Sequence, residues 1–193
     1  MAVRRYSLVL TVLFALAYFH YNDKKRVEMV VTTMKNMKKD VKLVLVSDLH
    51  LGYHNTRADL HRWLTLLKAE HPDAILIGGD LIDGSYRPVA QEHMAEEFRS
   101  LDIPVIACLG NHDYYTGLNA DLQFCRDAGI MVLRDKTVNI NEIGNITVIG
   151  RDDRTNRQRK SLSEVMRGGR QVPFSHRAQP SALSFGRSRK QWS

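Results

Sequence analysis

Apolar residues fall in short dense runs separated by stretches of helical period. Val41–Val46 (VKLVLV) is β-branched and almost continuous, the pattern of a strand covered on both faces. Within Thr56–Glu70, Leu60, Trp63, Leu64 and Leu67 recur at i, i+3, i+4 and i+7 and predict one apolar helix face. Thr56 and Asp59 form a capping-box pair at its start, with Asp in place of the usual Glu or Gln. Ala74–Ile77 predicts a second strand after the breaker His71-Pro72-Asp73. Val89–Leu101 reads as a helix, Ile103–Cys108 as a strand, and Leu118–Ala128 as a helix with Leu118, Leu122 and Cys125 on one side. Ile130–Val132, Thr137–Ile140 and Asn145–Ile149 read as short strands, with turns at Asp135 and Gly144. The order β-α-β-α-β-α-β-β-β predicts an α/β fold whose sheet starts parallel and becomes antiparallel at one edge.

The N-terminus departs from this rhythm. Ser7–Phe19 (SLVLTVLFALAYF) is the one long apolar run, with Arg4 and Arg5 before it and Lys24, Lys25 and Arg26 after. Thirteen helical residues span roughly 20 Å against a hydrocarbon core of about 30 Å. The run fits a membrane anchor; with Ala15-Leu16-Ala17 as a small-x-small site it fits a cleaved signal peptide; and a buried core helix is the third reading. The first two imply a bacterial cell envelope, membrane-anchored or secreted. Positive charge on both sides leaves the orientation open. The expected organisation is a signal or anchor over residues 1–21, a polar linker over 22–40 with a strand near Val27–Thr32, a domain over 41–167, and a basic irregular tail over 168–193.

Composition narrows the function classes. Of 193 residues, 44% are hydrophobic and 25% charged, a globular profile that excludes wholesale disorder and a multi-span membrane protein. Two cysteines exclude a disulfide scaffold or a cysteine-built zinc module. The formal charge of +7 is uneven: residues 151–193 hold 11 of the 28 Lys and Arg and 3 of the 21 Asp and Glu, or +8, which leaves −1 on the first 150. The basicity sits in the tail, so the charge of the whole chain is poor evidence for a nucleic-acid-binding surface on the body, and a nucleic-acid partner is not expected.

Each strong polar cluster follows a predicted strand. The first strand ends in Ser47-Asp48-Leu49-His50, the second in Gly78-Gly79-Asp80-Leu81-Ile82-Asp83, and the third in Gly110-Asn111-His112-Asp113. In open α/β sheets ligands bind at the carboxyl ends of strands, so three loops are expected to converge on one site. Like charges about 4 Å apart repel by roughly 4 kcal/mol at an effective dielectric near 20, and bound cations relieve that repulsion. Mixed oxygen and nitrogen donors without thiolate favour Mn, Fe or Zn.

In combination, Asp48-x-His50, Gly79-Asp80-x-x-Asp83 and Gly110-Asn111-His112-Asp113 resemble the first three motifs of the calcineurin-like metallophosphoesterase family. Gly150-Arg151-Asp152-Asp153 resembles a segment of its membrane-associated bacterial members, and the likeness runs over about residues 41–167. The resemblance implies a β-sandwich flanked by helices, two divalent metal ions and hydrolysis of a phosphomonoester, phosphodiester or pyrophosphate, with lipid-linked phosphates favoured by an envelope location. It implies that Asp48 and His50 bind one metal, Asp80 bridges both, Asn111 binds the second, His112 protonates the leaving oxygen, and Asp83 orients His112.

The family pattern continues with His-x-Pro and Gly-His-x-His, which complete both metal shells. Neither occurs here; His176 is the one histidine after His112 and reads as a solvated tail residue. With the unpatterned run Ser181–Ser193 (SALSFGRSRKQWS), this leads to the expectation of a truncated or frame-shifted chain, changing between Arg167 and Phe174, with an incomplete second sheet. Two rival readings follow, a catalytically inactive remnant and a protein whose basic tail binds an anionic surface. His54, His61, His71 and His93 read as surface or capping residues, with the site rim as the alternative for His54, and Cys108 and Cys125 read as buried thiols, with a disulfide between them as the alternative. Tyr114 and Tyr115 fit either a pocket wall or the core, and Arg151 and Arg154 either a substrate phosphate or solvent.

Overall fold

A computed structural model describes residues 40–140, 143, 146–168, 171, 172 and 174. The apolar run 7–19, the strand expected near 27–32, the turn at Gly144, His176 and the run 181–193 lie outside the described residues. No helix among the described residues is long and apolar enough to cross a membrane.

Four parallel strands form the first sheet, in the order β1 (Leu43–Val46), β2 (Ala74–Ile77), β3 (Val105–Ala107), β4 (Met131–Val132). Helices α1 (Arg57–Ala69), α2 (Tyr86–Gln91), α3 (Met94–Arg99), α4 (Asn111–Thr116) and α5 (Leu118–Ala128) connect them. Val44 and Val46 of β1 pack with buried Ile75, Ile77, Val105 and Ala107 against the helix residues Leu60, Leu64, Leu67, Phe98 and Phe124. The other face carries Leu43, Ala74, Leu76, Ile106 and Met131 against Val138 and Ile140 of a second sheet. Coverage on both faces is why these strands read as unbroken apolar runs rather than alternating ones.

The second sheet has the order β6 (Ile146–Gly150), β5 (Lys136–Ile140), β7 (Gln171–Val172), with β6 antiparallel and β7 parallel to β5. The strands expected at the antiparallel edge of one sheet therefore build a separate layer. The chain leaves β4 through a left-handed residue, Asp135 (φ 49°), and crosses to the second layer. Helix α6 (Leu162–Gly168) and β7 follow, with Phe174 packed against the second core cluster. Leu45, on the face shared with Leu43, is 71% exposed, so the described second sheet leaves that corner of the first uncovered.

The helix expected over Val89–Leu101 is two helices. His93 takes a left-handed conformation (φ 53°) between α2 and α3. The break lets Val89, Met94 and Phe98 all turn inward, which one continuous helix does not permit at spacings of five and four. Glu92 at the break accepts the Arg57 backbone N–H (2.7 Å) and ties it to α1. In α5 the inward face is Asp121, Phe124, Cys125 and Ala128, whereas Leu118 and Leu122, expected inside, are half-buried. At the start of α1, Asp59 accepts from the Thr56 backbone and hydroxyl, as the capping pair requires.

Candidate metal centre

Three loops leave the carboxyl ends of β1, β2 and β3 and are joined backbone to backbone. Asp48 N–H donates to Gly79 O (3.2 Å), His50 N–H to Asp80 O (3.0 Å) and Leu51 N–H to Leu81 O (2.8 Å). Asp83 N–H returns to Leu51 O (3.0 Å). This ladder holds Asp48, His50 and Asp80 at φ 59°, 43° and 55°, left-handed values that side chains other than glycine rarely adopt. The strain sits on three of the six site residues expected from sequence, as is common where function dictates the backbone.

The second and third loops pass so closely that glycine is required. A Cβ on Gly110 would lie 2.2 Å from Asp80 Oδ1, and one on Gly79 would lie 2.3 Å from Gly110 N. That approach brings Asp80 Oδ1 to the His112 backbone N–H (2.9 Å).

Ligand atoms of His50, Asp80 and His112 lie within 4.8 Å of one another. The His50 and His112 rings meet edge to face, centroids 4.7 Å apart. Asp48 joins through His50, its Oδ1 3.8 Å from His50 Nε2, with the carboxylate largely exposed. Asp83 Oδ1 lies 3.5 Å from His112 Nδ1, within ion-pair range. Asn111 is the first residue of α4, half-buried beside His112. The three loops thus bring His50, Asp80 and His112 together, with Asp48 and Asp83 each one contact away. Tyr115 is 74% exposed with its ring 6.1 Å from that of His112, so it stands beside the site and outside the core.

The donor set fits a divalent cation. It is imidazole and carboxylate, the mixture such ions favour. His50 Nδ1 is buried without a hydrogen-bond partner, an orphan that coordination of the ring would help to justify.

Two residues without an expected role hold this centre up. Asp113 is fully buried and accepts from Asp80 N–H (2.9 Å), Leu81 N–H (2.8 Å) and Gly110 N–H (2.8 Å). One carboxylate therefore ties the second loop to the third. The sequence signal for it is Asp three residues beyond Gly110, the spacing of a helix-start acceptor. Asp121 is also fully buried, with the Asp113 carboxylate as its neighbour. Burial first, then the charge of Asp113, raises its carboxyl to about 8, so it is mainly neutral at pH 7. Its signal is the 121, 124, 125, 128 spacing, which places an Asp on the inward face of α5.

A second polar network lies at the same edge. The Asp135 carboxylate accepts Asp152 N–H (3.0 Å) and Lys160 N–H (2.9 Å). Asp152, 3% exposed, accepts from Arg134 Nε (3.1 Å) and Nη2 (2.9 Å) and from Asn156 Nδ2 (2.9 Å). Burial opposes the charge of Asp152, but hydrogen bonds to Tyr114, Asn156 and Arg134 outweigh it and hold the carboxyl below its ordinary range. Arg134 Nη2 also donates to the Tyr114 hydroxyl (3.0 Å), and its guanidinium lies 5.9 Å from that ring centroid. Burial raises the Cys108 thiol at the end of β3, and the carboxylates of Asp113, Asp152 and Asp153 raise it further. Both cysteines are free.

The sequence profile described as Calcineurin-like phosphoesterase matches residues 41–182. An uncharacterized metallophosphoesterase of Aquifex aeolicus is 33% identical over 132 residues, 66% of this chain and 49% of that protein. A Danio rerio transmembrane protein with metallophosphoesterase domain is 34% identical over 93 residues, 47% of this chain and 21% of its own length. The UDP-2,3-diacylglucosamine pyrophosphatase LpxG of Chlamydia trachomatis is 31% identical over 84 residues, 42% of this chain and 25% of its own length. The chain spans half or less of the length of these relatives. No solved structure gives a significant match.

Proposed function

Because the chain belongs to the calcineurin-like phosphoesterase family, we propose that it hydrolyses a phosphate ester with two divalent ions at the convergence of the β1, β2 and β3 loops. The observation that carries this reading is the convergence of two ion-ligand residues, His50 and Asp80, with the imidazole of His112, one side-chain atom of each lying within 4.8 Å of the others. Asp48 and His50 are the residues that would hold one ion, Asp80 would be shared by both, and Asn111 would belong to the second. When bound, such ions supply charge neutralisation at the phosphoryl group and an activated water.

The protein's own groups do the rest. His112 donates a proton to the leaving oxygen. Its Nδ1 is turned to Asp83 at 3.5 Å, which leaves Nε2 for that transfer. Asp80 fixes the start of α4 by accepting the His112 backbone N–H, so the carboxylate and the imidazole move as one unit. Asp113 holds both from beneath.

As the bond cleaved we favour the phosphoanhydride of a pyrophosphate carried on a lipid-linked substrate, because the Chlamydia trachomatis relative is named a UDP-2,3-diacylglucosamine pyrophosphatase. A membrane location belongs to the same proposal and rests on the apolar run Ser7–Phe19 and on the name of the Danio rerio relative. The test is Mn²⁺-dependent hydrolysis of bis(p-nitrophenyl) phosphate by the full chain. We expect activity that chelation abolishes, and a loss of roughly 10²–10⁴-fold in His112→Ala. Undiminished turnover in Asp80→Ala would overturn the assignment.

A further inference from the structure

The loop 151–161, between β6 and α6, reads RDDRTNRQRKS and carries five basic residues and two acidic ones. Its position follows from strand register. Gly150 pairs with Lys136, and Lys136 stands just past the carboxyl end of β4, which runs parallel to β3. The loop therefore leaves the second sheet at the edge where the metal-centre loops leave the first.

The loop is built rather than loose. Asp135 accepts backbone N–H groups from both of its ends, at Asp152 and Lys160. Asp152 is clamped by Arg134, and Arg134 reaches Tyr114 on α4, the helix that begins Asn111-His112. Inside the loop, Asp153 Oδ1 accepts Thr155 N–H (2.8 Å) and Asn156 Oδ1 accepts Gln158 N–H (3.0 Å). Arg151 and Arg159 are turned back onto the loop's own carbonyls, of Lys160 and Asp152. The two acidic residues are thus engaged, and Arg154 and Arg157 stand exposed with no side-chain hydrogen bond or ion pair among the described residues.

A rigid loop that presents unpaired guanidinium groups beside an acidic, cation-binding centre divides the edge into two recognition fields. The acidic field takes metal ions and, through them, one phosphoryl group. The basic field suits a second anionic oxygen cluster on the same molecule. We infer that Arg154 and Arg157 bind an anionic group of the substrate beyond the phosphate being cleaved, which makes a diphosphate diester the substrate class in preference to a simple phosphomonoester. This rests on the phosphoesterase reading above and deepens it.

The test uses the Mn²⁺-loaded full chain and calorimetric titration with methylenediphosphonate, which does not hydrolyse, and with methylphosphonate, which has one anionic group. The Arg154→Ala/Arg157→Ala variant is expected to bind the diphosphonate roughly tenfold more weakly, the loss of one good charge-assisted contact, and the monophosphonate as the parent does. Both substitutions are on the exposed surface, so folding is preserved. Lys68→Ala/Arg99→Ala is the matched control. It removes the same charge from the last turns of α1 and α3, which lead to the amino ends of β2 and β3, and should change neither affinity.

Unchanged diphosphonate affinity in Arg154→Ala/Arg157→Ala overturns the inference, and so does an equal loss in the control, which would mean a general field effect. Vesicles of phosphatidylglycerol form a second arm. Weaker vesicle binding with diphosphonate binding intact would assign the arginines to an anionic membrane and overturn the substrate role. Hydrolysis of bis(p-nitrophenyl) phosphate separates this inference from its premise. A protein that turns over the diester yet binds diphosphonate equally with and without the arginines retains the reaction and loses the loop's role. One that needs the arginines for diphosphonate but hydrolyses nothing retains the anion site and loses the reaction.

Discussion

Two loop systems at one edge of the molecule are held by the same device and present opposite charge. In the parallel sheet, the carboxylate of Asp113 gathers three backbone N–H groups, and the two loops it ties carry Asp80, Asp83, Asn111 and His112. In the second sheet, Asp135 gathers two, and the loop it fixes projects Arg154 and Arg157. A buried carboxylate is a good tie because it accepts several backbone donors and contributes no donor of its own. The difference lies in depth. Asp113 is fully buried with Asp121 behind it, whereas Asp135 is half-buried and open to water. The acidic system is therefore the more rigid and the more vulnerable of the two.

The largest effect that would test this contrast is at Asp113. Asp113→Ala strands three donors and should cost roughly 3 kcal/mol or more, with loss of Mn²⁺ binding. Chemical denaturation and metal titration would read both, and a variant of parent stability would show that the loops do not depend on the tie. Asp121→Asn is expected to act in the opposite direction, through pH. The folded carboxyl stands at about 8, against about 3.9 in an unfolded chain. The folded state thus keeps a proton that the unfolded state has released. Parent stability should fall as pH rises between those values, by up to about 1.4 kcal/mol per unit, and level off above pH 8. Asparagine removes that slope, so the variant should gain on the parent from pH 5 to pH 8. Parallel stability curves would break the assignment.

Smaller effects belong to the basic system. Asp135→Ala should cost about 1–2 kcal/mol, because its two donors can turn to water. Hydrogen exchange at the Asp152 and Lys160 amides should quicken while that at Asp80 and Leu81 is unchanged. Acceleration at all four would mean that the two systems open together. Smallest is Arg134→Lys, which keeps the charge but loses the forked contact to Asp152 and Tyr114, at roughly 1 kcal/mol. A double-mutant cycle with Tyr114→Phe should reveal coupling, and additivity would mean that α4 and the loop are independent.

Sequence pattern carried the parallel layer well, because buried strands and the α1 face announce themselves through period and β-branching. It carried the site loops too, since Asp, Asn and Gly cluster directly after the strands. It missed what depends on distant contacts. The break at His93 requires knowing that α1 offers Arg57 to Glu92. The separation of β5 and β6 into a second layer depends on which face of the first sheet needs cover, and no local window contains that. Asp121 sits on the inward face of its helix, yet polarity alone argues for the outside. Asp113 lies inside a motif, but its part as a backbone tie appears once the three loops are in space. Arg134 and Asp152, 18 residues apart, give no sign of their pairing in the chain.

The left-handed backbone at Asp48, His50 and Asp80 has a consequence for how such a protein drifts under mutation. At these positions glycine relaxes the main chain, a relief of order 1 kcal/mol that alanine does not provide. A change that disarms the centre, such as Asp48→Gly, can therefore leave the fold as firm as before or firmer. Selection for folded, soluble chains alone would not keep these three side chains, and their persistence in a lineage would record demand for chemistry rather than for structure.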